Sequence, residues 1–154
     1  MRLQKEIKQT KPFRSIQQEA GLALLKTTDL VRRRLAKAIE PHHLSLEQYN
    51  VLRILRGAGN MGMATLEVSS RMIEQTPAIT RLLDKLEAKK LVRRERCPED
   101  RRQVLCWITD AGLHLLAEMD DEMESVGQEP FAHLTLTEIK NLIKLLDRIR
   151  EKRY

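Results

Sequence analysis

Leu91 to Gly112, LVRRERCPEDRRQVLCWITDAG, sets Arg93, Arg94, Arg96, Arg101 and Arg102 on the two sides of a Pro98-Glu99-Asp100 turn. Turn chemistry at the tip, followed by Val104, Cys106 and Ile108 alternating with Gln103, Leu105 and Trp107, predicts a β-hairpin. Just upstream, Thr76 can cap a helix whose first residue is Pro77, where the missing N–H is no loss. Ile79, Leu82, Leu83 and Leu86 fall on one face of that helix, leaving Ala78, Thr80, Arg81 and Lys85 outside. Few architectures place a helix with small polar residues at its start beside an arginine-tipped hairpin, so this pairing narrows the fold more than any other feature.

Charge agrees with an anionic partner. The net charge is +6, distributed as +6 over residues 1–70, +4 over 71–108 and −4 over 109–154. A basic surface of this kind attracts phosphate backbones. Aromatic residues make up 3% of the chain, too few for the stacking platforms used on single strands, so duplex DNA is the expected target. The opening MRLQKEIKQTK lacks the apolar core of a signal peptide, and no run approaches the ~20 apolar residues of a spanning helix. With only Cys97 and Cys106, the chain fits a reducing, cytoplasmic setting. His42, His43, His114 and His133 have no zinc-ligand spacing, and no Walker loop, nucleophile elbow or carboxylate pair is present. Neither an enzyme nor a cofactor is expected.

Elsewhere the chain reads as helical. Residues 1–14 are polar and basic and read as a frayed arm. From Ser15, the residues Ile16, Ala20, Ala23, Leu24, Leu30, Val31, Leu35, Ala38 and Ile39 mark a long amphipathic helix that stops near Pro41. Ser45 and Gln48 form a capping box for a second helix, with Tyr49, Leu52, Ile54 and Leu55 inward and Gly57-Ala58-Gly59-Asn60 at its end. A short third helix is expected from Ala64 to Met72, with Leu66, Val68 and Met72 inward. It and the Thr76 helix, joined by a tight turn, make a helix-turn-helix. After the hairpin, Thr109 caps a helix carrying Leu113, Leu116, Met119, Met123 and Val126, broken near Pro130. Thr135 and Glu138 form a second capping box for a last helix with Ile139, Leu142, Ile143, Leu146 and Ile149.

The predicted fold is therefore mainly α: a winged helix-turn-helix with a short β-hairpin wing and an intertwined helical dimerisation region. Residues 41–111 are expected to form the DNA-binding lobe, and residues 1–40 with 112–154 the dimerisation region of one integrated domain. Three long amphipathic helices at the chain ends cannot all bury their stripes on so small a lobe. Pairing with the same helices of a second copy would bury them and supply the two-fold symmetry of two half-sites.

The motifs LSLEQYNVLRIL, TPAITRLLDKLEAKKLVRR and PEDRRQVLCWITDAG resemble those of the MarR (multiple antibiotic resistance regulator) family of winged-helix transcription factors. In the last motif Asp100 and Arg102 match the family's Asp-x-Arg, while Ile108, Thr109 and Gly112 match its Leu-Thr-x-x-Gly. The resemblance implies that Arg102 reaches the minor groove with Asp100 bracing its guanidinium, and that Arg94, Arg96 and Arg101 are wing contacts. It places Gln75, Thr76, Ala78, Thr80 and Arg81 near base edges or phosphates, with Lys85 on the backbone. It implies a repressor that binds a pseudo-palindromic operator as a homodimer and is released by a small aromatic or anionic effector. The alternative is a winged-helix module that recruits a protein without specific operator binding.

Two departures carry expectations of their own. Lys90 stands where the family usually has glycine; a left-handed lysine costs roughly 1 kcal/mol, which favours a looser cap or one more helical residue. Ile73 and Glu74 occupy the turn before Thr76, where glycine is common. In the hairpin ladder Cys97 falls opposite Gln103 and Cys106 opposite Arg94, roughly 10 Å apart and beyond disulfide reach. Trp107, on the other strand face from Cys106, has no evident partner.

Overall fold

The computed structural model describes residues 2–75, 78–100 and 102–151. Among them the order is α1 (Arg2–Glu6), α2 (Ile16–Ile39), α3 (Leu46–Ala58), β1 (Met63–Ala64), α4 (Thr65–Arg71), α5 (Ile79–Ala88), β2 (Val92–Arg96), β3 (Val104–Ile108), α6 (Asp110–Gln128) and α7 (Leu136–Arg150). The architecture is mainly helical with one small sheet, as the periodicities predict.

The helix starts follow their caps. The Ser15 hydroxyl accepts the Gln18 N–H at 3.1 Å to open α2. At α3 the box is complete: Ser45 accepts the Gln48 N–H at 3.2 Å, and Gln48 Oε1 accepts the Ser45 N–H at 3.0 Å. Gln48 is the one buried polar side chain among the described residues, and this bond satisfies it. Thr135 and Glu138 repeat the box at α7.

Helix α3 is the hub. Val51, Leu52 and Leu55 are fully buried, and the helix packs on α2, α5, α6 and β3. Val68 and Met72 seal α4 beneath it, whereas Leu66, expected inward, is 83% exposed. Two residues along a helix is a rotation of about 200°, so Leu66 cannot share the face that Val68 and Met72, four apart, present to the core. The polar arm is also more ordered than its composition predicts: Arg2–Glu6 forms a short helix. It ends where Lys8 turns left-handed, with the Gln9 N–H returning to the Gln4 carbonyl at 3.0 Å.

The wing is part of a three-stranded antiparallel sheet in the order β1-β3-β2. β1 is only Met63 and Ala64, too short to show a period-2 pattern in sequence, and it pairs with Cys106 and Leu105. Arg94 sits opposite Cys106, and the Cys97 N–H bonds the Gln103 carbonyl at 2.9 Å, as the ladder count predicts. Both cysteines are free thiols; burial pushes Cys106 above its ordinary pKa, with the Thr65 hydroxyl 3.6 Å away.

At the end of α5, Lys90 adopts φ +59°, in the left-handed region. The Lys90 N–H bonds the Glu87 carbonyl at 2.8 Å and the Leu91 N–H bonds Leu86 at 3.0 Å, a Schellman closure with lysine in glycine's place. The looser cap does not occur. Lys90→Gly is therefore expected to stabilise the fold by about 1 kcal/mol, a rise in Tm of roughly 3 °C by thermal unfolding.

Helix α6 starts at the Thr109 cap and buries Leu116, Met119 and Met123, packing along α2. Helix α7 differs: among the described residues it buries none and packs extensively on no other element. Its Ile143, Leu145 and Ile149 are 52%, 55% and 68% exposed, and Ile16 and Leu25 of α2 are 71% and 68% exposed.

Candidate nucleic-acid interface

Helix α5 supplies the first half of the surface. Among the described residues its first helical residue is Ile79, with Ala78 as N-cap. Thr76 and Pro77, the expected cap and first residue, lie outside the described residues. Ile79, Leu83 and Leu86 are buried. That anchors the opposite face outward: Thr80, Arg81 and Lys85 are exposed, Gln75 is exposed in the preceding turn, and Ala78 is half-buried. Residues 78, 81 and 85 follow helical i, i+3, i+7 spacing and form one outward stripe.

In the wing the arginines divide into two sets. Arg94 turns back onto α5, within 2.5 Å of Asp84 and 2.6 Å of Glu87, and its side chain is only 20% exposed. The Glu87 bond, aided by Asp84, holds its guanidinium proton more tightly than usual. Arg93 pairs with Glu95 and lies 4.2 Å over the Trp107 ring. By contrast, the side chains of Arg96 and Arg102 are exposed and have no carboxylate partner among the described residues. Arg101 lies outside the described residues.

Asp100 shapes the tip through the backbone. Its Oδ1 accepts the Arg102 N–H at 3.0 Å, its Oδ2 accepts Gln103 Nε2 at 3.3 Å, and its carbonyl accepts the Gln103 N–H at 2.9 Å. The expected carboxylate–guanidinium brace is not formed. A short aspartate side chain reaches the N–H two residues on more readily than the far end of a long arginine. Arg102 is aimed by the turn and not by an ion pair.

Trp107 gains the partners its sequence context did not reveal. Its Nε1 donates to the Asn60 carbonyl at 3.2 Å, and Gly62, at φ +69°, lies so close that a Cβ there would sit 2.4 Å from the ring. The indole thus joins β3 to the turn before β1.

A cavity of about 770 Å³ opens between α2, α3, α6 and the α4–α5 turn. Its apolar wall includes Val31, Leu35, Met72 and Met123, and its polar groups include Arg32, Tyr49 and Arg53. The Arg53 guanidinium lies 5.9 Å from the Tyr49 ring centre and has no ion-pair partner among the described residues. Arg56, also on the wall, is occupied by Asp120 at 2.8 Å. Glu47, Asn50, Glu74, Asp120 and Glu124 also line it, so charged groups of both signs face the apolar wall in a volume that suits a small organic ligand. The sequence does not announce it, because the lining comes from four segments far apart in the chain.

A profile described as the MarR family matches residues 44–104. The chain is 39% identical to a MarR transcription factor of Planctomyces limnophilus, whose crystal structure it matches with a TM-score of 0.69 over 88% of this chain and 98% of that one. The chain belongs to the MarR family.

It is also 35% identical over 111 residues to the HTH-type transcriptional regulator TtmR of Methylorubrum extorquens, 72% of this chain but only 55% of TtmR. The chain thus spans little more than half of that relative. Bordetella bronchiseptica BpsR, whose DNA binding is regulated by 6-hydroxynicotinic acid, is 25% identical with a TM-score of 0.80, covering 93% of this chain and all of BpsR. MarR-family proteins are transcription regulators, not enzymes, and no described helix is long and apolar enough to cross a membrane. The match to the MarR profile contains α3, α4, α5 and β2 and ends at the first residue of β3, so every candidate contact from Gln75 to Arg102 lies inside it.

Proposed function

We propose that this MarR-family chain binds duplex DNA sequence-specifically as a homodimer and represses transcription until a small anionic aromatic ligand releases it. The observation that carries the reading is the division of arginines. Arg81, Lys85, Arg96 and Arg102 are exposed without ion-pair partners among the described residues, on two neighbouring elements, while Arg93 and Arg94 are consumed in holding the wing. Unpaired cations on a helix and an adjacent hairpin fit a major groove and the flanking backbone or minor groove.

In this reading Arg81 reads a base edge and Lys85 a phosphate, with Gln75, Thr76, Ala78 and Thr80 close to the DNA. Residues 1–40 and 112–154 form the dimer, and residues 41–111 the DNA-binding lobe. The exposed apolar stripes of α2 and α7 support a second copy, which would set half-sites roughly 34 Å apart. The cavity supports the effector: Arg53 and the Tyr49 hydroxyl offer a cation and a hydrogen bond beside an apolar wall, and 6-hydroxynicotinic acid, named for BpsR, is an aromatic acid.

Mobility shift with the chain's own upstream promoter DNA, at several salt concentrations and against competitor DNA, tests the reading. A site that outcompetes bulk DNA supports it; binding abolished equally for all sequences by salt points to a protein-recruiting module instead. Arg102→Ala is expected to weaken operator binding roughly tenfold and reduce the salt slope by about 1, with the dimer intact by light scattering. Unchanged affinity would remove the wing tip from the interface.

A further inference from the structure

Arg94 sits at the middle of β2, where the wing leaves the body of the protein. Its Nε donates to Glu87 Oε2 at 3.0 Å, and its Nη2 reaches the same oxygen at 2.6 Å and Asp84 Oδ1 at 2.5 Å. Asp84 and Glu87 are about one turn apart on α5, in line with Arg81. A planar guanidinium spans two such carboxylates in a way that the point charge of a lysine cannot. Among the described residues, these bonds are the polar contacts that join α5 to the wing strands.

Beyond Arg94 the wing has little to hold it. Glu95, Arg96, Asp100, Arg102 and Gln103 are all exposed. The Asp100 bonds shape the turn, but they are internal to the hairpin and travel with it. The place of Arg102 relative to Arg81 therefore depends on how firmly the hairpin is held to α5, and Arg94 supplies that hold.

Resting on the reading of α5 and the wing as the DNA-binding surface, we propose that Arg94 is a positioning residue that does not itself touch the operator. By gripping Glu87 and Asp84 it fixes the wing against α5, so that Arg81 and Arg102 meet the DNA as one rigid unit. A tip already held in place loses little freedom on binding. A loose tip must be ordered first, and that cost cancels much of what the Arg102 contact gains.

Glu87→Gln separates this from simple electrostatics. It removes a negative charge from the helix that carries Arg81 and Lys85, so charge alone predicts tighter binding to DNA. The positioning role predicts the opposite: operator binding weakened about threefold to tenfold in mobility shift, with Arg94→Gln weakening it at least as much. Adding Arg102→Ala to either variant should then cost little more, whereas in the wild type it costs roughly tenfold. Tighter binding by Glu87→Gln, or losses that simply add in the double variants, overturns the proposal. Hydrogen exchange on the DNA-free protein reads the hold itself. Both single variants should speed exchange over residues 94–97 and 102–105 about threefold to fivefold and leave α6 unchanged. Arg33→Gln, which breaks only the Arg33–Asp29 pair within α2, should leave the wing as in the wild type. Unaltered wing exchange in both single variants also overturns the proposal. Faster wing exchange in a protein that binds no operator supports the hold while refuting the regulator reading.

Discussion

In the proposed dimer, replacing Leu142 and Leu146 together by aspartate is expected to yield monomers and abolish binding to the proposed operator. Helix α7 carries an apolar stripe in which Ile139, Leu142 and Leu146 are half-buried and Ile143 and Ile149 are exposed, yet it buries nothing within its own chain. At roughly 25 cal/mol per Å² of apolar area removed from water, a stripe this long is costly to leave wet and valuable to a partner. Two unpaired carboxylates in a dry interface cost about 3 kcal/mol each or more, which raises the dimer Kd by more than a thousandfold. Sedimentation equilibrium checks the mass. The winged lobe should stay folded in the variant, since α7 contributes no buried residue to its core. A variant that remains dimeric would place the interface elsewhere.

The largest expected loss of stability comes from Gly112→Val. A Cβ built on Gly112 lies 2.6 Å from the Leu91 carbonyl oxygen and 2.6 Å from Ile108 Cγ1. Neither neighbour is free to yield. The Leu91 carbonyl accepts the Thr109 N–H at 3.0 Å, and Thr109 itself caps α6 while donating to the Lys90 carbonyl at 2.7 Å. The glycine therefore sits where the end of α5, the root of the wing and the start of α6 converge. Forcing a branched side chain there should cost about 3 kcal/mol or more and lower Tm by roughly 6–12 °C. Gly21→Ala is the matched control: nothing lies within 4 Å of its Cβ, and removing a glycine from the interior of α2 should stabilise by about 0.5–1 kcal/mol. Equal effects at the two sites would refute the packing argument.

The same glycine shows how far the sequence could be read. Its place in the Thr-x-x-Gly motif was visible, but the need for it, a carbonyl from residue 91 against the first turn of α6, is a tertiary contact. Leu66 and Lys90 depart from their local patterns in opposite ways. Leu66 is apolar yet faces solvent because its helical phase points away from Val68 and Met72, whereas Lys90 accepts a modest local strain that the closure of α5 imposes. In the structure two backbone bonds to Leu86 and Glu87 hold Lys90 left-handed regardless of its side chain. Strand β1 has no signature in the sequence, because two residues carry no periodicity.

What the chain determines by itself is what depends on residues three or four apart along a helix or two apart along a strand. The Ser45–Gln48 and Thr135–Glu138 boxes, the buried faces of α3 and α5 and the Arg94–Cys106 register are all such relations. What only the tertiary structure decides is the state of each charge on the surface formed by α5 and the wing. Arg94 and Arg102 look alike in sequence, yet one is gripped by Asp84 and Glu87 and the other is held out by a turn. The cavity arises in the same way. Pairing between distant segments is set by how the helices pack, and no local pattern encodes it.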